Sequence, residues 1–219
     1  MTKSITDRLI ANVPNNEDKN WNLTVVEDET INAFVTPDGS IFVFTGLIDI
    51  VDNADELAAI IGHELSHVHL RHAVSKLSLT LLAGSALAIC ELYFLGDISR
   101  VSLLCSKLFV GLPMSRKHEI EADKCGIYFS GEAGFSPERA ITVQEKLASL
   151  DREHEGLDLE KYLSTHPRGD ERIASATEEC KEFRKRTNEA EWLKTRKEKV
   201  EKIFRMFRQT KQIREKKLE

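Results

Sequence analysis

His63-Glu64-Leu65-Ser66-His67 sets two imidazoles four residues apart with a carboxylate next to the first. Positions i and i+4 share one face of a helix, so both rings can offer a nitrogen to the same cation. Glu64 then stands beside that cation, where it can take a proton from an activated water. The chemistry this spacing suits is zinc-assisted hydrolysis, and the bond it points to is a peptide bond.

A hydrolytic zinc takes three protein ligands and keeps a fourth position open. The third ligand has to come from another segment, and Arg116-Lys-His-Glu-Ile-Glu-Ala-Asp123 offers candidates. At about 100° per residue, Glu119 and Asp123 fall on one helical face and Glu121 on the opposite side. The geometry favours Glu119 as ligand and places Asp123 behind it, able to accept the second N–H of a ligating imidazole. Glu121 reads as a solvated carboxylate. Gly126 would let this helix approach the first one closely.

The remaining histidines compete for roles. His69 and His72 fall on the same predicted helix, Asp55 to Lys76, but their angles turn them away from His63 and His67, toward surface or supporting positions. His118 is expected to be exposed, and His154 lies in a charged loop. His166, in Ser164-Thr-His-Pro167, has three open readings. It could hydrogen-bond the oxyanion of a tetrahedral intermediate, with Arg172 as a partner. It could occupy the open zinc position at rest, or belong to a plain loop leading into a helix.

These residues need a scaffold. The spacing predicts a helix at about Ser4 to Ala11 and strands at Trp21–Val26, Ala33–Thr36 and Ile41–Phe44, with Pro37-Asp-Gly39 as the turn of a hairpin. Asn53, with Glu56 three residues on, reads as the cap of the motif helix. Further helices are expected at Arg116–Ser130, from Ser136-Pro137 to about Leu150, near Asp170, and through the last forty residues. The fold class is therefore α+β and mainly helical, a zincin-like domain with a small sheet beside the HExxH helix. A metallopeptidase domain is expected over 1–180 and a basic amphipathic helical tail over 181–219.

Two apolar runs, Leu77–Leu95 and Val101–Pro113, interrupt this plan, with a single charge, Glu91, in the first. The region 77–113 reads either as a membrane-associated hairpin or as buried helix. The charge is uneven too. From Lys181 onward fifteen Lys or Arg face seven Asp or Glu, a net of +8, so the remainder carries −13 of the overall −5. Such a tail suits either an anionic partner surface or docking on its own acidic body. Trp192, Val200, Ile203, Phe204 and Phe207 recur in it at helical spacing. No aromatic or glycine pattern of a nucleic-acid module accompanies the basic residues, so no nucleic acid is expected as partner. Cys90, Cys105, Cys125 and Cys180 show no CxxC spacing, which argues against a disulfide framework or a cysteine zinc site. Neither an apolar signal core nor an Arg-rich transit pattern is legible at the start. The chain is thus expected to act where it is made, or to be a mature form or a fragment.

His63-Glu-Leu-Ser-His67, Ser115-Arg-Lys-His-Glu-Ile-Glu-Ala-Asp123 and Thr165-His-Pro167 together resemble the signatures of the HtpX-like, CAAX-protease-type zinc metallopeptidases. Asn32-Ala-Phe-Val35, Gly39 and Thr45-Gly-Leu47 are similar to that family's segment before the metal helix. The likeness spans roughly residues 20–175 and is strongest to a mitochondrial branch; the CAAX branch carries many more hydrophobic spans. The resemblance implies one zinc bound by His63, His67 and Glu119, Glu64 as general base, and His166 near the zinc, regulating access to it. Asp123 and Arg172 are expected behind the ligands. It further implies a metalloendopeptidase of protein or peptide substrates, in membrane protein quality control or stress-triggered processing at the mitochondrial inner membrane. Another membrane-associated or soluble compartment is the alternative location. The competing function is a zinc-domain chaperone or adaptor with little peptidase activity.

Overall fold

The structure, a computed structural model, describes residues 1–94, 115–153, 159–167 and 169–218. The elements run α1 (Thr2–Ile10), β1 (Asn22–Val26), β2 (Ala33–Val35), β3 (Ser40–Phe44), α2 (Thr45–Ile50), α3 (Ala54–His69) and α4 (His72–Phe94). After these come α5 (Arg116–Glu132), α6 (Arg139–Glu153), α7 (Glu160–Thr165), α8 (Asp170–Arg186) and α9 (Glu189–Leu218). The architecture is mainly helical with one small sheet, the class that the sequence predicts.

The sheet has the order β1-β3-β2. β2 and β3 pair antiparallel, Phe34 opposite Phe42, and β1 pairs parallel to β3. The predicted turn joins β2 to β3, with Gly39 at φ +101° donating its N–H to Thr36 O at 2.9 Å. That backbone region is steeply unfavourable for residues with a Cβ, which explains a glycine there. β3 is central and β2 lies at an edge.

α3 is buried along almost its whole length, from Ala54 to Val68, as expected of a helix apolar on most sides. Asn53 caps it: Oδ1 accepts from Glu56 N at 3.0 Å, and Glu56 Oε2 in return accepts from Asp52 N at 2.9 Å. Around α3 lie α1, β2, α5, α6 and α9. Ile5 and Leu9 of α1, Ala33 and Val43 of the sheet, Leu57, Ile61 and Leu65 of α3, and Val200, Ile203 and Phe207 of α9 share one core. A smaller cluster joins Ile127, Ala176, Cys180, Phe183 and Trp192.

Two expectations change. The predicted helix Asp55–Lys76 is two helices, because Arg71 adopts a left-handed conformation (φ +56°) where α3 closes, with Leu70 N–H donating to Ser66 O and Arg71 N–H to Val68 O. No Gly or Pro marks that break. The tail is not one helix either: α8 ends at Arg186 and Asn188 caps a new start, accepting from Ala190 N and Glu191 N. Of the two readings of the tail, docking on the body is the one seen, with Trp192, Val200, Ile203 and Phe207 buried and Phe204 packed against the core. Of the apolar region, α4 to Phe94 is described, and Val101–Pro113 lies outside the described residues. Leu79, Leu81, Leu82 and Ile89 of α4 are exposed, and no described helix is long and apolar enough to cross a membrane.

Candidate metal centre

α3 and α5 meet face to face, and glycine sets how closely. A Cβ on Gly126 would come within 2.9 Å of His63 N and 3.1 Å of Gly62 C, so only a bare backbone fits. Ser130 of α5 ties the crossing from its other end, donating to Ala58 O at 3.3 Å. Ser115 caps α5 by accepting from His118 N at 3.2 Å. Glu119, Ala122, Asp123, Gly126 and Ile127 are buried on the α5 face toward α3 and α8. That i, i+3, i+4 recurrence is what carries Glu119 to His63 and His67.

The imidazole nitrogens and the carboxylate converge. His63 Nε2 and His67 Nε2 are 3.0 Å apart. His63 Nε2 lies 3.4 Å from Glu119 Oε2, and His67 Nε2 lies 3.4 Å from Glu119 Oε1. His166 Nδ1 completes the group, 3.3 Å from His63 Nε2 and 3.2 Å from Glu119 Oε2. All four residues are buried, and their donor atoms lie within 4.8 Å of one another.

These separations suit zinc. Bonds of about 2.0–2.1 Å in a tetrahedron put neighbouring donors about 3.3–3.4 Å apart. The two imidazole nitrogens facing each other at 3.0 Å need a proton or a metal cation between them, and a cation there would serve both rings at once. The charge balance points the same way. Glu64, Glu119 and Asp123 are buried with Arg172 as the cationic side chain among them, so a divalent cation would match them charge for charge.

The supporting residues fix orientation. Asp123 Oδ1 lies 2.8 Å from His63 Nδ1, which leaves Nε2 of that ring for the centre. Arg172 grips Asp123 through Nε and Nη2, both at 2.8 Å, and its Nη1 reaches Glu119 Oε2 at 2.8 Å and Pro167 O at 3.0 Å. Four of its five N–H groups are thereby turned to Asp123, Glu119 and the Pro167 carbonyl, so Arg172 clamps the two carboxylates. Burial opposes a charge on His63, but Asp123 and then Glu119 outweigh it and lift its pKa to about 10. Burial dominates at His67 and pushes it down to about 3. Burial also opposes charge on Glu119, yet His166, His63 and His67 hold it far below the usual carboxylate range.

Glu64 stands at the edge of this group. Its Oε1 is buried without a hydrogen-bond partner, 3.4 Å from His166 Nε2, and burial raises its pKa. A cleft of about 510 Å³ opens here, lined by Asn32, Phe34, Glu64, His67, Thr165 and His166. Ala33, Phe34 and Val35 of β2 also line it, and β2 is an edge strand, whereas β3 is paired on both sides.

Sequence reasoning missed two residues. Tyr162 is buried with its ring 4.7 Å from that of His166, and the i, i+4 spacing of the pair was the available signal. His72 is buried with Nδ1 2.9 Å from His67 Nδ1, where a continuous helix would have turned it away. His118, expected to be exposed, is half-buried and stacks on His72. His69 packs edge-on against Phe129, away from the centre, and Glu121 is half-exposed. His154 lies outside the described residues.

The chain is similar in sequence to known proteases. A mitochondrial metalloendopeptidase OMA1 of Arabidopsis thaliana is 39% identical over 152 residues, 69% of this chain and 30% of its own length. That of Schizosaccharomyces pombe is 36% identical over 176 residues, 80% of this chain and 50% of its own. The beta-barrel assembly-enhancing protease of Escherichia coli is 28% identical over 169 residues, 73% of this chain and 34% of its own. The chain thus spans half or less of these relatives. The match to the family described as Peptidase family M48 runs over residues 2–180, taking in both facing helices and the His166 loop, and the chain belongs to that family.

Proposed function

We propose that this protein is a zinc-dependent metalloendopeptidase that holds one zinc through His63, His67 and Glu119. The observation that carries the reading is the convergence of two imidazole nitrogens and the Glu119 carboxylate within 3.0–3.4 Å, with Glu64, whose buried Oε1 lacks a hydrogen-bond partner, beside them. Zinc, when bound, supplies a Lewis acid that polarises the scissile carbonyl and acidifies water. Glu64 accepts the proton of the attacking water on Oε1 and delivers it to the departing amine nitrogen. Its burial, which raises its pKa, suits a group that must both take and release a proton near neutral pH.

His166 stands within the donor set, its Nδ1 3.3 Å from His63 Nε2 and 3.2 Å from Glu119 Oε2. We assign it a resting position there, from which it would control access of a substrate carbonyl to a bound zinc. Its Nε2, already facing Glu64 across 3.4 Å, then lies close enough to donate to the oxyanion. Asp123 orients His63, and Arg172 holds Asp123 and Glu119 in register. Substrate lies extended in the cleft along the open side of β2, by strand addition.

Protein substrates are in keeping with the family, and the cleft beside β2, about 510 Å³, has room for part of an extended peptide. By analogy with relatives named as mitochondrial, the natural setting is the mitochondrial inner membrane, with processing or quality control of membrane proteins as the task. The exposed Leu79, Leu81, Leu82 and Ile89 of α4 support membrane contact at that surface. An adaptor without peptidase activity would leave unexplained a buried carboxylate oxygen, Glu64 Oε1, held without a hydrogen-bond partner beside the donor set.

The test is Glu64→Gln, which keeps size and removes the base. Cleavage of casein should fall by a factor of about 10²–10⁴, with zinc content near that of the parent. Cleavage at the parental rate would overturn the assignment. Fractionation of the native protein, with and without carbonate extraction, tests the membrane setting.

A further inference from the structure

We propose that His72 is a positioning residue for His67, the inner member of a His67–His72–Glu121 chain that leads from the metal centre to the surface; this rests on His67 being a zinc ligand. His72 is 3% exposed, its Nδ1 is 2.9 Å from His67 Nδ1, and its Nε2 is 3.4 Å from Glu121 Oε2. Its ring stacks on His118, centroids 4.4 Å apart and planes 18° from parallel, and meets His67 edge-on. The ring is thus held on three sides.

The contacts fix every proton. His67 Nε2 faces the donor cluster and must be bare to bind a metal, so a neutral His67 carries its proton on Nδ1. The Nδ1–Nδ1 contact needs one donor and one acceptor, so His67 donates and His72 Nδ1 accepts. The proton of His72 then sits on Nε2, toward the Glu121 carboxylate. His67 is locked in the tautomer and ring angle that present Nε2 to the cation.

Charge balance explains why the acceptor is an imidazole. His63 already has a carboxylate, Asp123, behind it. Glu64, Glu119 and Asp123 are matched by Arg172 and a divalent cation together. A carboxylate behind His67 as well would be buried and unmatched, which costs several kcal/mol in apolar surroundings. A neutral ring accepts the bond without adding charge, and the carboxylate at the end of the chain, Glu121, is half-exposed where water screens it. The left-handed turn at Arg71 makes this possible by starting α4 afresh, so that His72 points back at α3.

The experiment measures zinc affinity by competition with a chromophoric chelator, alongside thermal melts of the metal-free proteins. His72→Phe keeps the ring volume and removes the acceptor; His72→Asn offers an acceptor oxygen near the place of Nδ1. Affinity should fall about 10–100-fold in His72→Phe and return to within about threefold of the parent in His72→Asn. Metal-free melting temperatures should not follow that order, because packing alone does not distinguish an acceptor from a methine. Parental affinity in a folded His72→Phe would overturn the proposal, as would equal losses in the two variants. If His72→Phe does not fold, Glu121→Gln decides: affinity weakened about threefold or more supports the chain, and unchanged affinity overturns it. A His67→Ala control separates the premise, since parental zinc affinity there would remove the ligand assignment itself.

Discussion

Arg172 concentrates the electrostatics of the site in one side chain. It is 7% exposed and joins two carboxylates from neighbouring turns of α5, Glu119 and Asp123, to the Pro167 carbonyl. Burying a guanidinium is costly, and the two carboxylates offset that only as long as all three stay together. Arg172→Met should therefore cost about 3–5 kcal/mol, because it leaves two buried anions without their partner. The loss should be largest in metal-free protein, where no divalent charge remains to compensate. Urea denaturation with and without chelator checks this, and equal losses in both would argue against shared neutralisation of Glu119 and Asp123. The sequence placed Arg172 behind the ligands, but only the folded chain shows which carboxylates it grips, since a guanidinium five residues past the Thr165-His-Pro167 motif could point several ways.

At the scale of elements, the site is the crossing of α3 and α5. Glu119 lies two turns from Gly126, about 10 Å along the axis, so any widening at the glycine is carried to the ligand. Gly126→Ala would push a Cβ against His63 N and Gly62 C, both backbone atoms that cannot rotate aside. The substitution should cost about 1–3 kcal/mol and weaken zinc binding, although alanine favours an isolated helix. Denaturation midpoints and chelator competition measured together check the prediction; a stabilised, fully zinc-binding variant would show the crossing to be slack. The face shared by Glu119, Asp123 and Gly126 is legible from helical spacing alone. The end of α3 is not, because Leu70-Arg71 lacks Gly and Pro and the left-handed residue there is an arginine.

For the molecule as a whole, the basic tail is a buttress. α9 sets Val200, Ile203 and Phe207 into the main core and flanks them with ion pairs around the entry to α3. Arg196 binds Asp55 at 2.9 and 2.7 Å, Arg214 binds Asp49 at 2.6 and 2.7 Å, and Lys211 donates to Val51 O at 2.6 Å. Trp192 Nε1 adds a bond to Gly131 O at 2.8 Å, anchoring the start of α9 to the end of α5. The charge asymmetry thus describes a helix and its own acidic dock. Partly exposed pairs contribute about 0–1 kcal/mol each, whereas truncating a buried Phe costs about 3–5 kcal/mol. Phe207→Ala should therefore lower stability well beyond Arg214→Ala, and thermal melts of the two variants compare them directly. The reverse order would mean that charge rather than apolar packing holds the tail.

The sequence by itself determined the local features: which face of α5 carries Glu119 and Asp123, the Asn53 cap, the Pro-Asp-Gly turn and the two histidines one helical turn apart. Each depends on residues a few positions from one another, where backbone geometry leaves little choice. Only the tertiary structure decided that His166 meets the other donors, that β2 rather than β3 is the strand left open, that His72 returns to His67, and that the tail closes on the core. Those contacts join segments from five to about 160 residues apart, as with Arg214 and Asp49. They depend on how close two glycine-lined helices can come and on a single left-handed residue, neither of which leaves a periodic trace in the chain.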